Sequence, residues 1–250
     1  MNEHFFHKLN NGSGHQIICF PYLGGYLNSF NSLASSLDDD LELWAPNPPG
    51  HGTCSLKPKE TLPALVDLYV HELKNILKKK CTFFGYSMGG VVAYFVAQRM
   101  LSSKDSDVED IQLVLASCNP PNTFKNRKYS ELVDDDLIDH LLSYNGIPEE
   151  LIHDKSLIEY FMPVFRADFA VLESASKEAW TPLQISAHVL WGEDDPIVSL
   201  DSAANWTNYI RGPVHITPIE KGSHMFIHDQ TELLANQLEQ IVSNYSTNMS

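Results

Sequence analysis

The chain has 250 residues, 43% of them hydrophobic, and a formal net charge of −15. That length and apolar content fit one domain, residues 1–250, with a full-sized buried core, and so acidic a surface would repel nucleic acid. No apolar run approaches the roughly 20 residues that span a bilayer, and Met1-Asn2-Glu3-His4 is not a basic region leading into an apolar stretch, so a cytoplasmic protein without membrane attachment is expected.

Short apolar, β-rich stretches alternate with longer ones of helical period, the sequence mark of an α/β fold with a mostly parallel central sheet and helices on both faces. Strands are predicted at 16–20 and 41–45. Leu62, Leu65, Val66, Tyr69, Leu73, Ile76 and Leu77 then recur at helical spacing. Lys78-Lys79-Lys80 is expected to close that helix, where cations complement the dipole. A strand at 81–84, a helical run at 91–100 and a strand at 111–116 follow. Asn119-Pro120-Pro121 stops the last of these. From about 120 to 180 there is helical character and no strand, which predicts a helical insertion serving as a lid or substrate wall. Within it, Asp134-Asp135-Asp136 reads as a solvated helix start rather than a metal site. Phe161, Met162, Phe165, Phe169 and Leu172 supply more apolar surface than a lid needs for itself, so part is available to line an acyl or thiol-arm channel. Strands at 188–191 and 214–219 precede a last helix, with Thr231 as N-cap and an apolar stripe of Leu234, Leu238, Ile241 and Tyr245; the polar residues 246–250 are expected to fray. The cysteines, Cys19, Cys54, Cys81 and Cys118, form no CxxC pair, which argues for reduced thiols over zinc or redox work.

Chemistry enters at Gly85-Tyr86-Ser87-Met88-Gly89, a G-x-S-x-G pattern between a strand and a helix. A serine raised on so tight a turn crowds its neighbours, so glycine is needed at 85 and 89. The chain resembles the α/β-hydrolase fold here, whose chain order is serine, acid, histidine. Serine at its free pKa is a poor nucleophile and needs a base, itself oriented by a third group. After the strand at 188–191 comes Gly192-Glu193-Asp194-Asp195-Pro196, and Asp195 is the preferred acid because Pro196 fixes the chain just after it; Asp194 and Glu193 stay open. After the strand at 214–219 comes Gly222-Ser223-His224-Met225-Phe226, which puts His224 in the loop before the last helix. Among 11 histidines a lone one means little, and His215 and His228 read as structural or exposed. A tetrahedral oxyanion needs two backbone donors. Met88 follows the nucleophile, and Leu23 lies in Phe20-Pro21-Tyr22-Leu23-Gly24-Gly25, the turn after an early strand.

Those segments, with Pro48-Pro49-Gly50-His51-Gly52 and Phe165-Arg166-Ala167-Asp168-Phe169, run in order over nearly the whole chain. In them the chain resembles the type II thioesterases that accompany nonribosomal peptide and polyketide synthases. The resemblance implies hydrolysis of acyl thioesters held on the phosphopantetheine arm of a carrier-protein domain, clearing stalled or misprimed acyl groups or releasing intermediates in antibiotic biosynthesis. It implies a Ser87–His224–Asp195 triad, an acyl-enzyme, no cofactor, no metal, and substrate contacts at Tyr22, Gly24, Phe165 and Phe226. A monomer that meets its carrier transiently is expected, through a locally apolar surface with Arg166 or Arg127 near the arm's phosphate. Family members more often have histidine at the position of Tyr86 and glycine at that of Ser223. A small-molecule carboxylesterase, a lipase or an acyltransferase shares every motif. A catalytically silent binding module would ordinarily lack the serine or the histidine.

Overall fold

The computed structural model describes residues 5–103, 107–147 and 153–247. Residues 1–4, read above for an export signal, and 248–250 of the tail lie outside them. The sheet has seven strands in the order β1-β3-β2-β4-β5-β6-β7: β1 (Phe6–Lys8), β2 (His15–Phe20), β3 (Leu41–Pro46), β4 (Lys80–Tyr86), β5 (Asp110–Ala116), β6 (Ala187–Gly192) and β7 (Val214–Ile219). Every pairing is parallel except that of β1 with β3, where Phe6 faces Pro46. β1 is missing from the predicted set, because three residues are too few to show a period. Phe5 and Phe6 hold it in place by packing edge-on against Tyr69, at ring distances of 5.1 and 5.7 Å.

Strands covered on both faces must be apolar throughout, and β2, β4 and β5 are buried almost end to end. Their side chains divide by alternation. Ile18, Phe20, Phe83, Leu113 and Leu115 face a layer holding α2 (Leu62–Leu73) and α3 (Met88–Ser102). Ile17, Cys19, Phe84 and Val114 face α1 (Asn31–Ser36) and the C-terminal helix. The helix predicted through Leu77 ends at Leu73, and the lysine run does not close it. The Gln16 side chain instead ties the turn to β2, accepting from Lys78 N at 2.8 Å and donating to Ile76 O at 3.0 Å. Lys78 pairs with Glu42 at 2.7 Å, and Lys80 opens β4.

Between β5 and β6 the described residues form two 3₁₀ turns (Pro121–Phe124, Tyr129–Glu131), α4 (Asp134–Leu142) and α5 (Lys155–Ala175), and no strand. Asp134, Asp135 and Asp136 occupy the first turn of α4, as a carboxylate run prefers. Asp154 caps α5 by accepting from the Ser156 and Leu157 amides. After β6 come α6 (Leu200–Ala204), then beyond β7 α7 (Phe226–Asp229) and α8 (Thr231–Thr247). Thr231 is the first residue of α8, and its hydroxyl donates back to Ile227 O at 2.7 Å, so it does not act as the predicted N-cap acceptor. The helix continues to Thr247, into the stretch expected to fray. Among the described residues no helix is long and apolar enough to cross a membrane.

Candidate active site

Because β2, β4, β5, β6 and β7 are parallel, the loops leaving their carboxyl ends gather at one edge of the sheet, where ligands bind in open α/β folds. Ser87 stands in the turn between β4 and α3 at φ 49°, ψ −117°, a conformation L residues seldom adopt. Its neighbours explain how the turn closes. A Cβ on Gly85 would lie 2.4 Å from the Gly90 Cα, and one on Gly89 would lie 1.9 Å from Phe20 O. Hydrogen bonds from Ser87 N to Ala116 O (2.8 Å) and from Gly90 N to Ser87 O (3.0 Å) fix the bend.

The structure brings Ser87, His224 and Asp195 into one hydrogen-bonded series. Ser87 Oγ lies 3.0 Å from His224 Nε2, and His224 Nδ1 lies 2.9 and 3.1 Å from the two Asp195 carboxylate oxygens. Asp195 Oδ1 also accepts the Ile197 and Val198 amides, so its carboxylate is fixed before it meets the imidazole. Burial works to raise the Asp195 pKa, but His224 and those two amides outweigh it and hold the group below the usual carboxylate range. The open alternatives, Glu193 and Asp194, are exposed and turned to solvent. His215 is exposed on β7, its ring stacked on His188 at 4.9 Å, and His228 is exposed on α7.

Tyr86 does work that its sequence position does not announce. Its buried hydroxyl donates to the His224 carbonyl at 2.8 Å and accepts from Ile227 N at 3.1 Å, clamping the loop that carries the imidazole. Tyr144 was also missed; its ring meets His224 edge-on at 5.2 Å. The only sequence signal for Tyr86 is its departure from the family's usual histidine.

A cavity of 320 Å³ opens on Ser87 and His224, lined in part by Leu23, Tyr144, Phe169 and Ile197. A second, of 560 Å³, adjoins it and shares Tyr22, Leu23, Gly146 and Met225 as a common wall. Gly24, Phe161 and Phe165 line this second space. Gly24 stands at φ 73° with the Phe165 ring against it, where a Cβ would come within 2.7 Å. Tyr22 reaches across to His228, hydroxyl to Nε2 at 2.9 Å. Met88 begins α3, so its amide is among the helix's unpaired N-terminal donors.

Two expectations need correction. Phe226 lines neither cavity: it is fully buried against Tyr86 at a ring distance of 5.3 Å, because α7 begins there and turns its side chain into the core, while Met225 faces the shared wall. Arg166 is occupied within the fold, donating to Ser130 O and pairing with Asp134. Arg127 does line the Ser87 cavity, its guanidinium 5.8 Å from the centre of the Tyr129 ring. Among the described residues no three histidine, cysteine or acidic side chains gather as metal ligands would.

A thioesterase domain family model matches residues 15–242. The chain is similar to the gramicidin S biosynthesis protein GrsT of Aneurinibacillus migulanus, at 22% identity over 94% of this chain and 93% of that one. It is also 23% identical to a probable cadicidin biosynthesis thioesterase of Streptomyces griseus over 90% of this chain, which spans 62% of that relative's length. Among solved structures, the type II thioesterase BorB from the borrelidin biosynthetic cluster shares the fold with a TM-score of 0.84, at 22% identity, covering 96% of this chain and 98% of its own.

Proposed function

Because the chain belongs to the thioesterase domain family, a family of hydrolases acting on thioesters, we propose that it is a type II thioesterase freeing acyl groups from the phosphopantetheine arm of carrier-protein domains in nonribosomal peptide or polyketide biosynthesis. The Ser87 Oγ to His224 Nε2 contact of 3.0 Å, continued to Asp195, carries this reading. His224 takes the serine proton as Ser87 attacks the thioester carbonyl, and the Leu23 and Met88 amides receive the developing oxyanion. Asp195 holds the ring with Nε2 toward the serine and stabilises the imidazolium. The tetrahedral intermediate collapses, the C–S bond breaks, and the thiol leaves with the proton from His224. Water, deprotonated by the same ring, attacks the acyl-enzyme and releases the acid and Ser87. These steps require neither a metal nor a bound cofactor.

In this reading residues 1–250 act as one domain, and the 120–180 insertion is its lid. Tyr129, Tyr144 and Phe169 from that insertion line the cavity that opens on Ser87, and Arg127 is poised for the arm's phosphate. The arm and the acyl group share the two adjoining cavities, with Tyr22, Gly24 and Phe165 as contacts. The test compares turnover of acyl-phosphopantetheinyl carrier protein with that of a free simple ester. A higher kcat/KM on the carrier substrate is expected; a higher value on the free ester would make the chain a small-molecule esterase.

A further inference from the structure

Behind the Leu23–Gly24 turn lies a charged pair that the steps above leave unused. His51, in the loop after β3, and Asp168, in α5, are both buried, with His51 Nε2 3.0 Å from Asp168 Oδ2. The other ring nitrogen, Nδ1, lies 3.0 Å from Pro49 O. A carbonyl and a carboxylate oxygen only accept, so both ring nitrogens must donate, and the ring is an imidazolium. Burial alone would lower the His51 pKa, but the Asp168 charge and the hydrogen bonds to Asp168, Pro49 and Pro48 outweigh it and raise the value.

The same Asp168 oxygen accepts the Gly24 N–H at 2.8 Å. That amide is therefore turned into α5 and is not free to face the cleft, which leaves Leu23 as the donor on this loop. Phe165, one turn earlier on the helix, closes against Gly24 from the side. A cavity of 20 Å³, bordered by Tyr22, Met88, Gly89, His51 and Asp168, sets the pair directly behind both segments assigned to the oxyanion. A carboxylate suits this place because one oxygen must accept from a cation and a peptide at once, and a buried carboxylate needs that cation.

We infer that Asp168, hydrogen-bonded to His51, is a positioning residue for the thioester reaction: by gripping the Leu23–Gly24 peptide it orients the neighbouring Leu23 N–H toward the developing oxyanion, a role that rests on the function proposed above. Asp168→Asn keeps the shape and removes the charge. On an acyl-pantetheine thioester its kcat is expected to fall about 100-fold with KM within about threefold of wild type, as a misaligned oxyanion donor requires. Affinity for a trifluoromethyl ketone, whose hemiketal oxygen occupies the oxyanion site, is expected to fall in parallel. A residue that merely supported the fold would lower Tm and leave both readings of the folded protein unchanged. His51→Gln removes the cation alone, and a loss of about tenfold in kcat is expected; it carries the test if Asp168→Asn does not fold. Wild-type kcat and ketone affinity in a folded Asp168→Asn or His51→Gln protein would overturn the inference. If the wild-type enzyme cleaves p-nitrophenyl acetate but no acyl-pantetheine thioester, the substrate assignment fails, and the same variants read on the ester still decide the positioning role.

Discussion

Ser87 is held in a backbone conformation that costs about 1–3 kcal/mol, and Gly85 and Gly89 let the surrounding chain close tightly enough to keep it there. Gly89→Ala would drive a Cβ to 1.9 Å from Phe20 O, so a loss of about 3 kcal/mol or more in unfolding free energy is expected from urea titration. Tyr86→Phe removes the hydroxyl that holds the His224 carbonyl and leaves the buried Ile227 amide without its acceptor. The expected cost is about 1–3 kcal/mol of stability, with kcat down roughly tenfold and KM near wild type, measured by denaturation and steady-state kinetics. Ser87, Asp195 and His224 are legible in the sequence because each sits in a short turn that follows an apolar strand. Tyr86, His51 and Asp168 are not, because what defines them is a contact across the fold: Tyr86 meets a backbone carbonyl 138 residues away and His51 a carboxylate 117 residues away. Phe226 was misplaced because adjacency to His224 in sequence says nothing about which way the first turn of α7 points.

A single stretch of α5 shows how much one helix can organise. Phe165 closes on Gly24, Arg166 fastens the start of α4 through Asp134, Asp168 holds the Leu23–Gly24 turn, and Phe169 lines the Ser87 cavity. Phe169 also packs against Tyr129 and His140, at ring distances of 5.2 and 5.7 Å, joining α5 to a 3₁₀ turn and to α4. Phe169→Ala is expected to cost about 3–5 kcal/mol in unfolding free energy, and to raise KM for short acyl groups by widening the cleft, both read on the same preparation. The alternation of strand and helix was legible because buried parallel strands give continuous apolar runs. The end of α2 was not, since Ile76 and Leu77 keep the helical spacing while the Gln16 side chain captures the backbone that would have extended it.

For the whole molecule, the histidines set the response to pH. His188 is pushed down to about 4 by burial and by its neighbour His215, and His15 and His140 are lowered, chiefly by burial. In the unfolded chain each takes its proton near 6.5. Below that pH the unfolded state binds more protons, and stability falls toward pH 4. His51 acts in the opposite sense: its folded pKa is raised, so its contribution is complete below about 6.5 and is lost as pH rises through the folded value. Tm is therefore expected to peak near neutrality and to drop on both sides, and His188→Gln should flatten the acid limb. A Tm climbing steadily into acid would mean that relief of the −15 charge outweighs these groups. The central claim is that one hydroxyl carries the acyl group between thiol and water. Mass spectrometry of protein quenched during turnover of an acyl-pantetheine thioester tests it directly. An acyl adduct on the peptide holding Ser87 is predicted, absent from Ser87→Ala, whose turnover should lie below a few per cent of wild type. An adduct on another residue, or Ser87→Ala turning over well above that level, would contradict it.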